Sequence, residues 1–271
     1  MAEQSFQALE QAGWVAKAGE YDELFATITD QAIDPILGSF GAIDSKRVLD
    51  VACGTGHIAG VAAERGALSE GIDFASTMVA KAKGRYPKVS FREGDAEQLP
   101  YDDSSCDAVA CGFGLLHMAN PERVIKEAWR VLRSGGRYTF TVWCSPDQGG
   151  EFFNLVMGAV QMHGTLDVPL PPAPPVFRFA DPGECTKVLM SAGFVDPKVL
   201  VLPLTWRAAR PEDVLNIIYK GAVRTSMLLE AQTVQAREAI HQAILKGSEA
   251  FRKGNAIEFG FPASMATAAK G

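Results

Sequence analysis

The chain has 271 residues, with 26 basic against 32 acidic side chains and a net charge of −6, which excludes a basic nucleic-acid binder as the default. Hydrophobic residues make up 47% and charged ones 21%, the balance of a globular chain with a large core and not of a disordered tail. Apolar runs are short and broken by Gly, Pro or charge, and residues 1–5 lack the basic and apolar regions of a secretory signal, so no membrane span and a cytoplasmic location are expected.

Residues 4–40 place Trp14, Tyr21, Leu24, Phe25, Ile28, Ile33, Ile36 and Leu37 at mixed three- and four-residue steps, which predicts a helical entry segment. The run 48–51 then enters the Gly-rich turn 53–56, and a helix continues over 58–65. Further strands are predicted at 69–73, 89–95, 106–111 and 137–143, with helices at 76–83 and 121–132. That alternation means an α/β, doubly wound parallel sheet covered on both faces. After Trp143 the rhythm stops. A short helical piece spans 152–160, and the proline-rich run 169–175 excludes both helix and central strand. A helix at 181–192, stopped by Gly193, and a sixth strand at 195–206 resume the core. Residues 210–252 read as two helices, and 257–259 with 263–269 close the chain as a last strand pair or bent strand.

The segment that carries chemistry is 48–57, where a buried strand ends on Asp50 and a turn containing Gly54 and Gly56. Such glycines let backbone approach a ligand and present amides at a helix N-terminus. Asp73 ends the next strand, at the position that reaches ribose hydroxyls in doubly wound folds. Residues 54–59 also satisfy the G-x-G-x-x-A form of a dinucleotide fingerprint, so the turn alone leaves a nicotinamide cofactor open. Acids at three successive strand ends, Asp50, Asp73 and Asp95, suit a ligand bearing an ammonium group, a ribose and an adenine amine better than a pyrophosphate.

Residues 47–143, with these acids, Gly54, Gly56 and the run 111–118, resemble the core of class I S-adenosylmethionine-dependent methyltransferases, in the small-molecule branch of the ubiquinone/menaquinone methyltransferases. The resemblance implies a seven-stranded, mostly parallel, Rossmann-like sheet with an antiparallel final strand at 265–270 and helical cap insertions. It divides the chain into a helical entry segment (1–45), a cofactor core (46–144), a substrate cap (145–180), a core continuation (181–206), a helical cap (207–255) and a final core strand (256–271). It also implies S-adenosyl-L-methionine as cofactor. Asp50, Ala52, Gly54 and Gly56 would surround its methionine part, and Asp73 its ribose diol, with Phe74 beside it. Met78 would pack near the adenine, Asp95 would accept from the adenine amine, and Ala96 would offer an amide to the ring. Gly112, Phe113 and His117 would meet the amino acid end. Ala52 stands where the family's first glycine is found, which requires a negative φ at that residue.

Methyl transfer from a sulfonium is an in-line displacement, so holding donor and acceptor aligned in a dry pocket is the main task, and no metal is required. A base helps where the acceptor has a proton to lose, and His117, His163 and Tyr21 are the candidates, with Tyr21 also placed to gate the site. Five widely spaced cysteines without a C-x-x-C pair read as reduced buried thiols, not as a zinc site. Residues 145–180 carry few charges among many apolar and aromatic side chains, which favours a small apolar or aromatic metabolite such as an indole, terpenoid or phenolic product of specialised metabolism, methylated at C or O. Arg178 or Arg224 could hold an anionic group on it. A nicotinamide-dependent oxidoreductase, a non-catalytic binding regulator, and monomer or homodimer all stay open at this point.

Overall fold

The computed structural model describes residues 5–271. It begins with α1 (Phe6–Lys17), α2 (Ala26–Thr29) and α3 (Ile33–Ser39), followed by β1 (Arg47–Val51), α4 (His57–Glu64), β2 (Leu68–Asp73), α5 (Ser76–Arg85) and β3 (Ser90–Glu93). Next come β4 (Cys106–Gly112), α6 (Pro121–Val131), β5 (Leu132–Trp143), α7 (Glu151–His163), α8 (Pro182–Ser191) and β6 (Phe194–Leu202). The chain ends with β7 (Thr205–Ala208), α9 (Glu212–Gly221), α10 (Val223–Glu230), α11 (Val234–Ser248), β8 (Arg252–Lys253), β9 (Ala256–Gly260) and β10 (Ala263–Lys270).

The main sheet has seven strands in the order β3-β2-β1-β4-β5-β10-β6, parallel from β3 to β5. β10 runs antiparallel to both of its neighbours. This is the mostly parallel, Rossmann-like arrangement expected. Helices cover both faces, so Val48, Leu49 and Val51 of β1 are all buried, where a one-sided sheet would alternate. Local chemistry sets several boundaries. Ser5 caps α1 by accepting from the Ala8 amide at 3.2 Å. Pro182 opens α8 behind its Asp181 cap, and Gly193, at φ +100°, ends it where a Cβ would lie 2.9 Å from the Trp129 indole.

Three expectations change. The strand read over 195–206 breaks at Pro203, which has no amide for a ladder, and β7 leaves the main sheet to pair with β9. Residues 256–260 therefore belong to a second, antiparallel sheet in the order β7-β9-β8, and the final core strand is β10 alone. The cap at 210–252 holds three helices, because the chain turns at the extended Ala222 and restarts at the Thr233 cap, whose side chain accepts from the Ala236 amide. One buried cluster runs from Ile28 and Ile36 of the entry segment through Trp143 and Phe152 to Trp206, Ile240 and Phe261. Cap and sheet thus share a core. Among the described residues no helix is long and apolar enough to cross a membrane.

Candidate active site

The sheet order reverses between β1 and β4, and in open α/β sheets the crevice outside the carboxyl ends at such a point is where ligands bind. A cavity of about 180 Å³ lies there. It is lined by Ala52 and Gly54 after β1, Asp73, Phe74 and Met78 around the start of α5, and Gly112 and Phe113 after β4. A smaller cavity shares Ala52, Asp73, Phe74 and His117 and adds Asp95 and Ala96.

Asp50 is 1% exposed. Its Oδ2 accepts from the Ala59 amide at 3.1 Å, while its Oδ1 is buried with no hydrogen-bond partner among the described residues. Burial pushes this carboxyl up to about 7, against the pull of the Ala59 amide. Asp73 accepts from the amides of Gly54 at 2.8 Å and Ala75 at 2.9 Å, and burial likewise holds its pKa above the usual carboxylate value. Each carboxylate oxygen has a second lone pair, so those bonds leave Asp73 able to accept from a ligand. Asp95 accepts from the Glu97 amide at 2.8 Å and from Gln7 Nε2 at 3.1 Å.

Ala52 departs from expectation: its φ is +56°, in the left-handed region where a glycine costs nothing. Phe113 at the end of β4 shares this, with φ +57° and its ring stacked on Trp143 at 4.1 Å. Strained residues at two facing strand ends are a mark of functional sites. Gly54 (φ +52°) has open space where a Cβ would be, so its missing side chain leaves room in the cavity. Gly56 lines none of the site cavities. It shapes the start of α4, and a Cβ there would strike the Phe91 ring at 2.7 Å.

Tyr21 and His117 line the main cavity and His163 does not. Residues 161–163 end α7 beyond the packed layer, and His163 is exposed. Burial pushes the Tyr21 phenol up to about 12, so it stays protonated near neutral pH and is not a base; it bonds Thr29 Oγ1 at 3.2 Å and meets Trp14 edge-on.

The residue missed by sequence reading is Glu10. This carboxylate, fully buried on α1, bonds His117 Nδ1 at 2.8 Å, and its Oε1 has no partner among the described residues. An acid within the buried stripe Phe6, Leu9, Glu10, Gly13 was the available signal. α1 is laid over the site by further polar contacts, Gln11 Nε2 to the Phe74 carbonyl at 2.7 Å and Thr77 Oγ1 to the Val15 carbonyl at 2.9 Å. The loop after α1 is clasped by Asp22, which accepts from Thr55 Oγ1 at 2.6 Å and Arg85 Nη2 at 2.7 Å and bonds His57 Nε2 at 3.1 Å. The other His57 ring nitrogen meets Asp30 at 2.9 Å. Burial would lower the His57 pKa, but the two acids outweigh it and raise it.

Residues 49–140 match the family model described as a methyltransferase domain. The chain is 42% identical over 118 residues to the demethylmenaquinone methyltransferase of Deinococcus radiodurans, covering 41% of this chain and 49% of that one. It is 42% identical over 117 residues to the Thermus thermophilus enzyme of the same name, covering 41% and 52%. The chain thus spans about half the length of the curated relatives it matches. Among solved structures, the YcgJ protein of Bacillus subtilis superimposes with a TM-score of 0.59 at 19% identity, over 89% of this chain and 98% of that one, a likeness of fold.

Residues 49–140 thus carry a methyltransferase domain, whose cofactor is S-adenosylmethionine. The residues present fit that cofactor. A methyltransferase ligand brings a sulfonium and an ammonium, and the cavity supplies the buried carboxylates Asp73 and Glu10, with the partnerless Asp50 Oδ1 in the cleft beside Gly54. The methyltransferase assignment removes the nicotinamide alternative that the glycine turn had left open.

Proposed function

We propose that this protein transfers a methyl group from S-adenosylmethionine to oxygen or carbon of a small, largely apolar or aromatic acceptor. The observation that carries it is continuity. The cavity that begins at Ala52, Gly54 and Asp73 runs without interruption into a wall of Phe25, Leu116, Trp143, Phe153 and Val176, contributed by the entry segment, the sheet and the first insertion. The relatives' names, which specify a quinone precursor as acceptor, support a ring compound of this size; phenolic, indole and terpenoid acceptors fit the same wall.

When bound, the cofactor supplies an electrophilic methyl group. The chain supplies alignment, exclusion of water by α1 and the caps, and a base. Glu10 bonded to Nδ1 orients the His117 ring, so Nε2 is the nitrogen left to take the proton of an acceptor hydroxyl. The test is methyl transfer from labelled S-adenosylmethionine to a panel of quinols, phenols and indoles. For a hydroxyl acceptor, His117→Ala is expected to lower kcat by about a hundredfold or more while affinity for S-adenosylhomocysteine is kept. Full activity in His117→Ala removes the base, and binding of S-adenosylhomocysteine without turnover of any acceptor would favour a regulator.

A further inference from the structure

We infer that the acceptor bears an acidic group, of aromatic-carboxylate type, bound by Arg224. This rests on the methyl-transfer reading and specifies its substrate. Arg224 lies in the first turn of α10, on the part of the cavity wall built by the second insertion. Its Nη2 donates to the Pro171 carbonyl at 3.2 Å and its guanidinium carbon lies 5.4 Å from the centre of the Phe6 ring. Among the described residues its Nη1 is buried without a hydrogen-bond partner and the guanidinium makes no ion pair.

An arginine is charged at any working pH, and a buried N–H of a cation left without an acceptor is costly. The placement is costly twice over. The N-terminal end of a helix is positive, and Ala222 at the cap of α10 offers no side-chain acceptor to its free amides. Among the described residues no group answers this charge: Glu10, the carboxylate α1 brings to the same cavity, bonds His117 and makes no ion pair with Arg224. The contrast with Arg178 is direct, since that arginine is ion-paired with Glu122 and Glu184 and lines none of the site cavities. An acceptor with an apolar ring against the aromatic wall and a carboxylate at the guanidinium answers that cation, which lacks an ion-pair partner among the described residues.

The test is equilibrium dialysis of the full chain, with and without S-adenosylhomocysteine, against 2-naphthoate and its neutral isostere 2-naphthamide. The wild type should hold the acid about tenfold or more tightly than the amide, as a charge-assisted bond requires. In Arg224→Gln that preference should fall below about twofold with amide and S-adenosylhomocysteine affinities kept, whereas Arg224→Lys should retain part of it. Equal affinity for the two probes in the wild type, no binding of either, or a preference that survives in Arg224→Gln overturns the inference. Failure of S-adenosylhomocysteine to bind the wild type would instead overturn the methyl-transfer reading, and the dialysis without it still reports on Arg224.

Discussion

Asp50→Asn separates the effect of one buried charge on the protein from its effect on the ligand. Burial raises the Asp50 pKa from 3.8 to about 7, so its contribution to stability is fully present below about pH 4 and is lost as pH rises through 7. That gap, at about 1.4 kcal/mol per pH unit, makes ionised Asp50 cost on the order of 4 kcal/mol at pH 8, an upper bound because water relaxes around buried charges. Urea unfolding of the unliganded protein at pH 5 and pH 8 reads this as a difference between wild type and Asp50→Asn, in which other titrating groups cancel. Part of this cost is already present at pH 5, so the asparagine variant should gain up to about 3 kcal/mol on the wild type between the two pH values. A bound ammonium group needs the carboxylate, so S-adenosylhomocysteine should bind the wild type more tightly as pH rises from 6 to 8. The variant should bind about ten- to hundredfold more weakly, without that pH dependence. Parallel stability of the two proteins across this range would refute the reasoning, because Asp50 would then titrate alike folded and unfolded.

The Asp22 clasp and the Ala52 turn give two further expectations. Asp22→Asn should lower the His57 pKa, read by NMR titration, and cost about 1 kcal/mol of stability, since Arg85 and His57 are only partly buried. Because the His57 pKa is raised in the fold, its own contribution is present at low pH and lost as pH rises through its folded value; an unshifted His57 in the variant would contradict the clasp. Ala52→Gly relieves a left-handed alanine and should leave thermal stability equal or higher by up to about 1 kcal/mol, whereas Ala52→Val should cost more than about 2 kcal/mol. Equal melting temperatures for the glycine and valine variants would mean that φ at this residue carries no strain.

Strands β1, β2 and β4 were legible because each is a largely buried run that ends on or beside an acid or a glycine, a pattern that survives without knowledge of any neighbour. The acids Asp50, Asp73 and Asp95 and the cavity residues from Ala52 to Phe113 were singled out from the same local pattern, whereas the strand order came only with the fold. What was hidden depends on contacts remote in sequence. Glu10 meets His117 across 107 positions and Asp22 meets Arg85 across 63, and neither pairing leaves a mark in spacing. β7 and β9 were misplaced because alternation continues through Pro203 while the ladder does not, so a period of two ran across a change of sheet. His163 has the right residue type near an apolar helix, but only the end of the packed layer decides that it faces outward.

The interlocked rings of Phe25, Trp143, Phe152 and Phe261 bear on how such a protein can diversify. Phe152 comes from the first insertion, Phe25 from the entry segment and Trp143 from the sheet, so removing any one piece bares the faces of the others. A cap transplanted whole from a relative would arrive without its matching rings, and the hybrid would aggregate before its selectivity could be measured. New acceptors are therefore reached by single exchanges on the cavity lining, at positions such as Leu116, Val176 and Arg224, one substitution at a time on an unbroken interior.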